Sequence, residues 1–325
     1  MEIEIRPCTP DDYEAIAAVA NAACIDANGQ AVATLRAAGL READATRDAR
    51  CRFARWVALQ AGRVAGFGEY DQAAHRYHPQ KFWIDVYVHP DCQHQGIGGA
   101  LYDRVVAGLQ AFDPLSARCG VREDLAPSLR FLEHRGWQEA ARIWESVLDL
   151  ATCDPAPLAG GAERAAAAGI TITTYPALAG DPQCDQKLYE LVWEIRQDLP
   201  DLDAPTKEAY DYFVAQRLQH ADMVPDAFFI ATDQDRYVGY IYHHRDEADP
   251  EQLHIAQLGV ARAYRSRGIA RALKMHGVAF AQAHGYRRLH TTNESGNRHV
   301  LTINEQLGFV RRPAWLDMVK TWGPR

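Results

Sequence analysis

No stretch of this 325-residue chain reaches the roughly 18 consecutive apolar residues that a helix needs to cross a bilayer, which sets a membrane-spanning role aside. Basic residues are outnumbered, 35 to 43, for a formal net charge of -8. That balance disfavours a nucleic-acid partner, which demands a basic face, and suits weak long-range attraction of a cationic substrate. Cysteines number seven, an odd count, and no two stand at C-x-x-C spacing. A disulfide framework and a zinc site are therefore not expected, and the chain reads as a protein of the reducing cytoplasm with no metal. His75-x-x-His78 and the pair His243-His244 have no acidic or cysteine partner at ligand spacing, and read as solvated polar residues. The opening residues, MEIEIRPCTPDD, lack the basic and then apolar regions of a signal peptide.

What is present is a repeat. The length exceeds one ordinary domain and suits two, each able to bury its own core. Glu2-Ile3-Glu4-Ile5-Arg6-Pro7 alternates apolar and polar residues and ends in proline, and 169–176 does the same, as a short strand entering a loop does. Gly66 and Gly239 sit in similar apolar runs 173 residues apart. Gly96 and Gly268 sit in glycine-rich turns, and Gly136 and Gly308 in x-Gly-aromatic triplets, both pairs 172 residues apart. Three separate motifs holding one offset point to duplication of a whole domain. The segment 151–157 carries Pro155 and Pro157, and the alanine-rich run 158–168 reads as a connecting helix ended by Gly169. The expected organisation is a first domain over 1–150, a linker over 151–168 and a second domain over 169–325. In each half a strand, helices, a hairpin, an apolar strand, a glycine turn, a helix and further strands follow in order. This is a mixed α/β layout with one strand–turn–helix crossing at its centre.

That crossing carries the chemistry. Val86-Tyr87-Val88 leads into Gln93-His94-Gln95-Gly96-Ile97-Gly98-Gly99, and Leu258-Gly259-Val260 leads into Arg265-Ser266-Arg267-Gly268-Ile269-Ala270. Glycine lets a ligand approach the backbone, and the first helical turn offers unpaired N–H groups and the positive end of the helix dipole. A phosphate or pyrophosphate fits there. The competing reading, a helix packed closely on its strand through glycine, needs no ligand.

The pattern Gln/Arg-x-x-Gly-x-Gly/Ala after an apolar strand resembles the coenzyme-A turn of the GNAT superfamily, in its tandem form of the mycothiol synthase type. Asn304-Glu305-Gln306-Leu307-Gly308-Phe309 resembles a second family segment, and 131–137 is its counterpart in the first half. The resemblance implies acetyl-CoA in a cleft between two splayed strands. Its pyrophosphate would lie on the amides of Gln93, Gln95, Gly96, Ile97, Gly98 and Gly99, or on those of Arg265, Arg267, Gly268, Ile269 and Ala270. Its pantetheine would pair with strand backbone at Val86 to Val88, or at Leu258 to Val260. Asn293 and Asn297 would orient the cofactor or the amine. An amine would attack the thioester directly, so a base and an acid are the groups to find. Tandem members place the base at the position of His254, and its ordinary pKa of about 6.5 suits that work. Asp85 is the analogue in the first half, and His290 and Glu294 are further candidates. Many members have a tyrosine acid where this chain has Asn304, and Leu132 in the first half. Asparagine donates a hydrogen bond but no proton, and leucine does neither. The expected outcome is a catalytic second half, a degenerate first half, and acetylation of a primary amine on a small molecule by a monomer or homodimer. Alternatives are a non-catalytic acyl-CoA binder and acetylation of a cysteinyl amino sugar. Aminoacyl transfer from tRNA is disfavoured by the acidic charge.

Overall fold

The computed structural model describes residues 3–25, 34–199, 202–246 and 249–323, so Glu2 of the expected first strand lies outside it. In chain order the elements are β1 (Glu4–Pro7), α1 (Tyr13–Ala23), α2 (Ala37–Ala45), β2 (Ala54–Gln60), β3 (Arg63–Asp71), β4 (Lys81–Val88), α3 (Ile97–Leu109), β5 (Ser116–Arg122), α4 (Ala126–Glu133) and β6 (Gln138–Asp149). There follow α5 (Ala156–Ala167), β7 (Ile170–Thr174), α6 (Cys184–Arg196), α7 (Tyr210–Phe213), β8 (Phe229–Asp233), β9 (Arg236–Arg245), β10 (Gln252–Val260), α8 (Ile269–Ala283), β11 (Arg288–Glu294), α9 (Arg298–Leu307), β12 (Val310–Arg311) and β13 (Trp315–Thr321). The mixed α/β layout is present twice.

The chain forms two compact units, residues 1–141 with 315–325, and residues 142–314. In the first, the strand order is β1-β2-β3-β4-β5-β13, and in the second β7-β8-β9-β10-β11-β6. Only the β4–β5 and β10–β11 pairs are parallel; their neighbours are antiparallel. The expected division at 150 and 169 thus differs from the observed one at both ends. β6 leaves the first half and pairs with β11, from Ile143↔Glu294 to Asp149↔Arg288. β13 returns from the chain's far end to pair with β5, from Trp315↔Arg122 to Thr321↔Ser116. A buried ion pair between Arg118 and Asp317 joins β13 to β5. A uniform repeat offset is blind to this exchange, because the strand patterns are the same whichever copy a strand joins.

Local rules explain the elements around each site. The β2–β3 hairpin turns at Ala61 and Gly62, with φ of 48° and 74°, the double left-handed geometry that suits strand twist. In β4, Phe82 and Ile84 are buried on the face toward α3, which leaves Trp83, Asp85 and Tyr87 on the other face. The expected connecting helix is α5, ended by Gly169 at φ 76°. It is part of the second unit rather than a free linker: Leu158 and Ala165 are buried in that unit's core with Leu273 and Ile303.

Candidate functional site

Each unit holds one strand–turn–helix crossing, and the two are built alike. Gly96 precedes α3 at φ 87° and Gly268 precedes α8 at φ 86°, a conformation that strains any residue with a Cβ. His94 and Ser266 also have positive φ, 60° and 64°. Gln93 Nε2 donates to the Val88 carbonyl at 3.1 Å, and Arg265 Nε donates to the Val260 carbonyl at 3.1 Å. Gln95 Nε2 donates to the Asp91 carbonyl at 3.2 Å, as Arg267 Nη2 does to that of Ala263. The long polar residues of the turn therefore staple it to the strand end, and their side chains are occupied in doing so. The N–H groups of Ile97, Gly98 and Gly99, and of Ile269, Ala270 and Arg271, have no carbonyl within their helices to bond.

Both units also have splayed strands. β4 and β5 pair from Lys81↔Ser116 to Trp83↔Arg118 and then part. β10 and β11 pair from Gln252↔Arg288 to Ile255↔Thr291 and then part, with a bulge in β10 between Ile255 and Gln257.

In the first unit the gap is open. A cavity of about 490 Å³ runs from Gly96, Gly98 and Gly99 along Val86 and Val88, with Ser128, Phe131 and Leu132 of α4 as its other wall. It passes between the splayed strands to Asp85, Tyr87, Cys24, Gly120 and Trp315. A Cβ on Gly96 would meet nothing within 4 Å. Of the expected first-half residues, Val88, Gln93, Gly96, Gly98 and Gly99 line this cavity, whereas Ile97 turns into the core and Gln95 stays outside, accepting from Gln60 Nε2 at 2.6 Å. Leu132 stands on the wall as an apolar residue. Tyr102, which the sequence reading passed over, also lines it. Its hydroxyl accepts from Trp137 Nε1 at 3.1 Å and from Lys320 Nζ at 3.2 Å.

In the second unit the groove is filled. α5 packs against both α8 and α9, the two helices that flank the gap. A Cβ on Gly268 would run into the Gly161 carbonyl, and one on Gly161 into the side chain of Arg271. Arg271 Nη1 donates to the Pro157 carbonyl at 3.3 Å. Leu258, Val260 and Ala270 pack against the core that includes Leu158 of α5. Lys274, 172 residues after Tyr102, is 1% exposed, with its ammonium 4.8 Å from the centre of the Phe309 ring and no hydrogen-bond partner. Burial pushes its pKa down to about 7. The turn expected to receive coenzyme A thus meets a helix of its own unit.

The expected catalytic residues of this unit are spent on structure. Asn304 is 2% exposed and its Nδ2 donates to Asn293 Oδ1 at 2.7 Å, which occupies both asparagines. Asn297 lies at the start of α9, beside a surface recess with Asp198, Arg262 and Arg298. His254 lies opposite His244 on β9 and His290 on β11. Its Nδ1 is 2.6 Å from that of His290, whose Nε2 lies 3.1 Å from Glu145 Oε1. Burial, then the neighbouring His290, pushes the His254 pKa down to about 3, far from the ordinary value expected of it. Taking a proton from an ordinary alkylammonium of pKa about 10 would then run roughly 10 kcal/mol uphill.

Asp85 is placed differently. It faces the open cavity, while the protein encloses its other sides. Burial first, then Glu69 and Asp71, push its pKa up to about 8. The same transfer to Asp85 runs uphill by only roughly 3 kcal/mol. Among the described residues no group of three or more His, Cys, Asp or Glu side chains is arranged to hold a metal ion.

A doubled fold of splayed strands, each followed by a glycine turn and a helix, defines a class. The model of the acetyltransferase (GNAT) family matches residues 24–137 and again 186–309. The chain belongs to that family, and is an acetyltransferase of its tandem form. It is 26% identical to a mycothiol acetyltransferase of Thermobispora bispora over 324 residues, covering 96% of each chain. It is 23% identical to a mycothiol acetyltransferase of a Nocardioides species, over 78% of this chain and 91% of that one. A tandem GNAT protein from the clavulanic acid biosynthesis pathway matches in structure with a TM-score of 0.74 at 19% identity, covering all of both chains.

Proposed function

We propose that this acetyltransferase moves an acetyl group from acetyl-CoA to a primary amine of a small molecule, and that it does so in the first unit. The observation that carries the reading is the contrast at the two grooves: an open cavity leads from the Gly96 turn through the strand gap, while α5 lies against the Gly268 turn. This reverses the sequence-based preference for the second half.

In this reading the pyrophosphate lies on the N–H groups of Ile97, Gly98 and Gly99, where the helix dipole adds to the attraction. The pantetheine arm follows Val88 and Val86 toward the gap. The amine enters from the face that carries Asp85, and its nitrogen forms a bond to the thioester carbon as the carbon–sulfur bond breaks. Asp85 takes the proton the nitrogen sheds. Leu132 has no proton for the departing thiolate. The Tyr102 hydroxyl stands on the same wall, and the Lys320 ammonium beside it favours negative charge nearby.

Calorimetric titration with acetyl-CoA tests the assignment. One molecule is expected to bind per chain. Gly98→Glu should abolish binding, because Gly98 has ordinary backbone geometry and a Cβ there meets only the Val88 methyl at 3.5 Å, so the carboxylate would occupy the phosphate site without disturbing the fold. Ala270→Glu, at the matching place in the second turn, should leave the stoichiometry at one. Loss of binding in the second variant, with the first unaffected, would return the site to the second unit.

A further inference from the structure

On the side where the amine enters, the sheet of the first unit carries a distinctive set of side chains. Cross-strand pairing sets Glu69 opposite Asp85 and Asp71 opposite Trp83. All four share one face, because each pair sits at the same pleat and Trp83 and Asp85 are two residues apart. Gly120 lies on β5 between two indoles: a Cβ there would stand 3.5 Å from Trp83 Cζ2 and 3.6 Å from Trp315 Cε3. Glycine therefore leaves a gap between two aromatic walls, next to a carboxyl group that lines the cavity.

The cations of this face are already committed. Arg55 pairs with Glu69 and with Asp44, the latter at 3.1 Å. Arg118 pairs with Asp317, and Arg122 with Asp124 at 2.8 Å. Asp71 and Asp85 are left with no cation in ion-pair contact among the described residues. Burial and the charge of Glu69 act together on both, pushing Asp71 up to about 6 and Asp85 up to about 8. Two buried carboxyl groups without a counterion are costly unless a ligand supplies one. Aromatic faces add attraction for an ammonium and none for a carboxylate.

We infer that the acceptor is an aliphatic diamine: one nitrogen is presented at Asp85 for acetylation, the second ammonium rests against Asp71, and the methylene chain passes between Trp83 and Trp315. The inference rests on the reading that transfer occurs in the first unit. Asp71 and Asp85 are diagonal neighbours across β3 and β4, roughly 7–8 Å apart, which suits about four methylenes between the nitrogens.

The test compares acetylation of 1,4-diaminobutane, butylamine and 4-aminobutyrate by the full-length protein, with acetyl-CoA affinity measured alongside. The diamine should exceed butylamine in kcat/KM by about thirtyfold or more, and 4-aminobutyrate should be the poorest. Asp71→Asn should narrow the gap between diamine and butylamine to a few-fold, chiefly through KM for the diamine, with acetyl-CoA affinity retained as evidence of an intact fold. Gly120→Leu, which fills the space between the indoles, should remove diamine turnover while acetyl-CoA still binds. A diamine no better than butylamine, a preference for 4-aminobutyrate, or an Asp71→Asn loss equal for both amines would overturn the inference. If acetyl-CoA binds as proposed and the amine ranking fails, only the inference about the acceptor falls. If acetyl-CoA ignores the first cleft, the underlying reading falls with it.

Discussion

The turns at Gly96 and Gly268 have the same φ to within a degree and the same side-chain staples to the preceding strand, yet they face different surroundings. One opens on a cavity that reaches through the sheet. The other has the carbonyl of Gly161 laid against it, and behind that a lysine amine buried where the first unit places Tyr102. A ligand-binding turn is therefore only half a site. Its backbone sets what can bind, but whether anything does depends on what chain is packed in front of it. The titratable groups divide the same way. The first unit keeps buried carboxyl groups beside its cavity, and the second keeps buried neutral imidazoles: His243 and His244 are pushed down to about 4 and His254 to about 3, in each case chiefly by burial.

The largest effect expected from this contrast is on turnover. Asp85→Asn should lower kcat by about 10²- to 10⁴-fold and abolish the rise of kcat/KM with pH toward about 8, with acetyl-CoA affinity preserved. His254→Ala should stay within tenfold of the parent. Steady-state kinetics across pH 6 to 9 checks both, and the opposite ranking would restore the second unit as the catalyst.

A smaller effect concerns the helix over the second groove. Gly161→Leu would drive a side chain into Arg271 and should destabilise the second unit by about 1–3 kcal/mol, as overpacking does. Hydrogen exchange should show faster opening of α5 and α8 with α3 unchanged. Equal loosening of both units would mean that α5 does not act locally.

The smallest effect is in pH dependence, and its signs differ. Histidines whose folded pKa lies below the unfolded 6.5 leave the unfolded chain binding more protons, so their contribution is full above about pH 6.5 and lost as pH falls toward 4 and 3. Asp71 and Asp85 have folded pKa values above the unfolded 3.8. Their contribution is full below that and lost as pH rises through about 6 and 8. Exchange rates measured from pH 4.5 to 8.5 without ligand should therefore show the second unit loosening toward acid and the first toward alkali. Parallel trends in both would contradict the contrast.

Much of this architecture is legible in the residues. The offset near 172 marks the duplication, and the alternation in β4 and the glycines before α3 and α8 place the crossings correctly. What escapes is whatever depends on partners rather than patterns. Helix α5 is readable as a helix from its alanines, but only packing shows that Gly161 lets it close on Gly268. His254 reads as an ordinary histidine until its burial beside His290 is known. Lys274 and Tyr102 were findable, since they share one repeat position, one with a hydroxyl and the other with an amine. Trp315 carried no signal tying it to a cleft built from residues 84–135.

The place of Trp315 has a consequence for synthesis. The first unit's sheet is finished by β13, and its cavity by an indole that the ribosome adds some 170 residues after β6 begins. At about 5–20 residues per second, the nascent first unit waits roughly 10–35 s with the edge of β5 bare. A bare strand edge is an invitation to wrong partners, so that interval is when the chain is most exposed to misassembly. A gene cut between the halves would leave the first product permanently in that condition, with a coenzyme turn but an unwalled acceptor chamber.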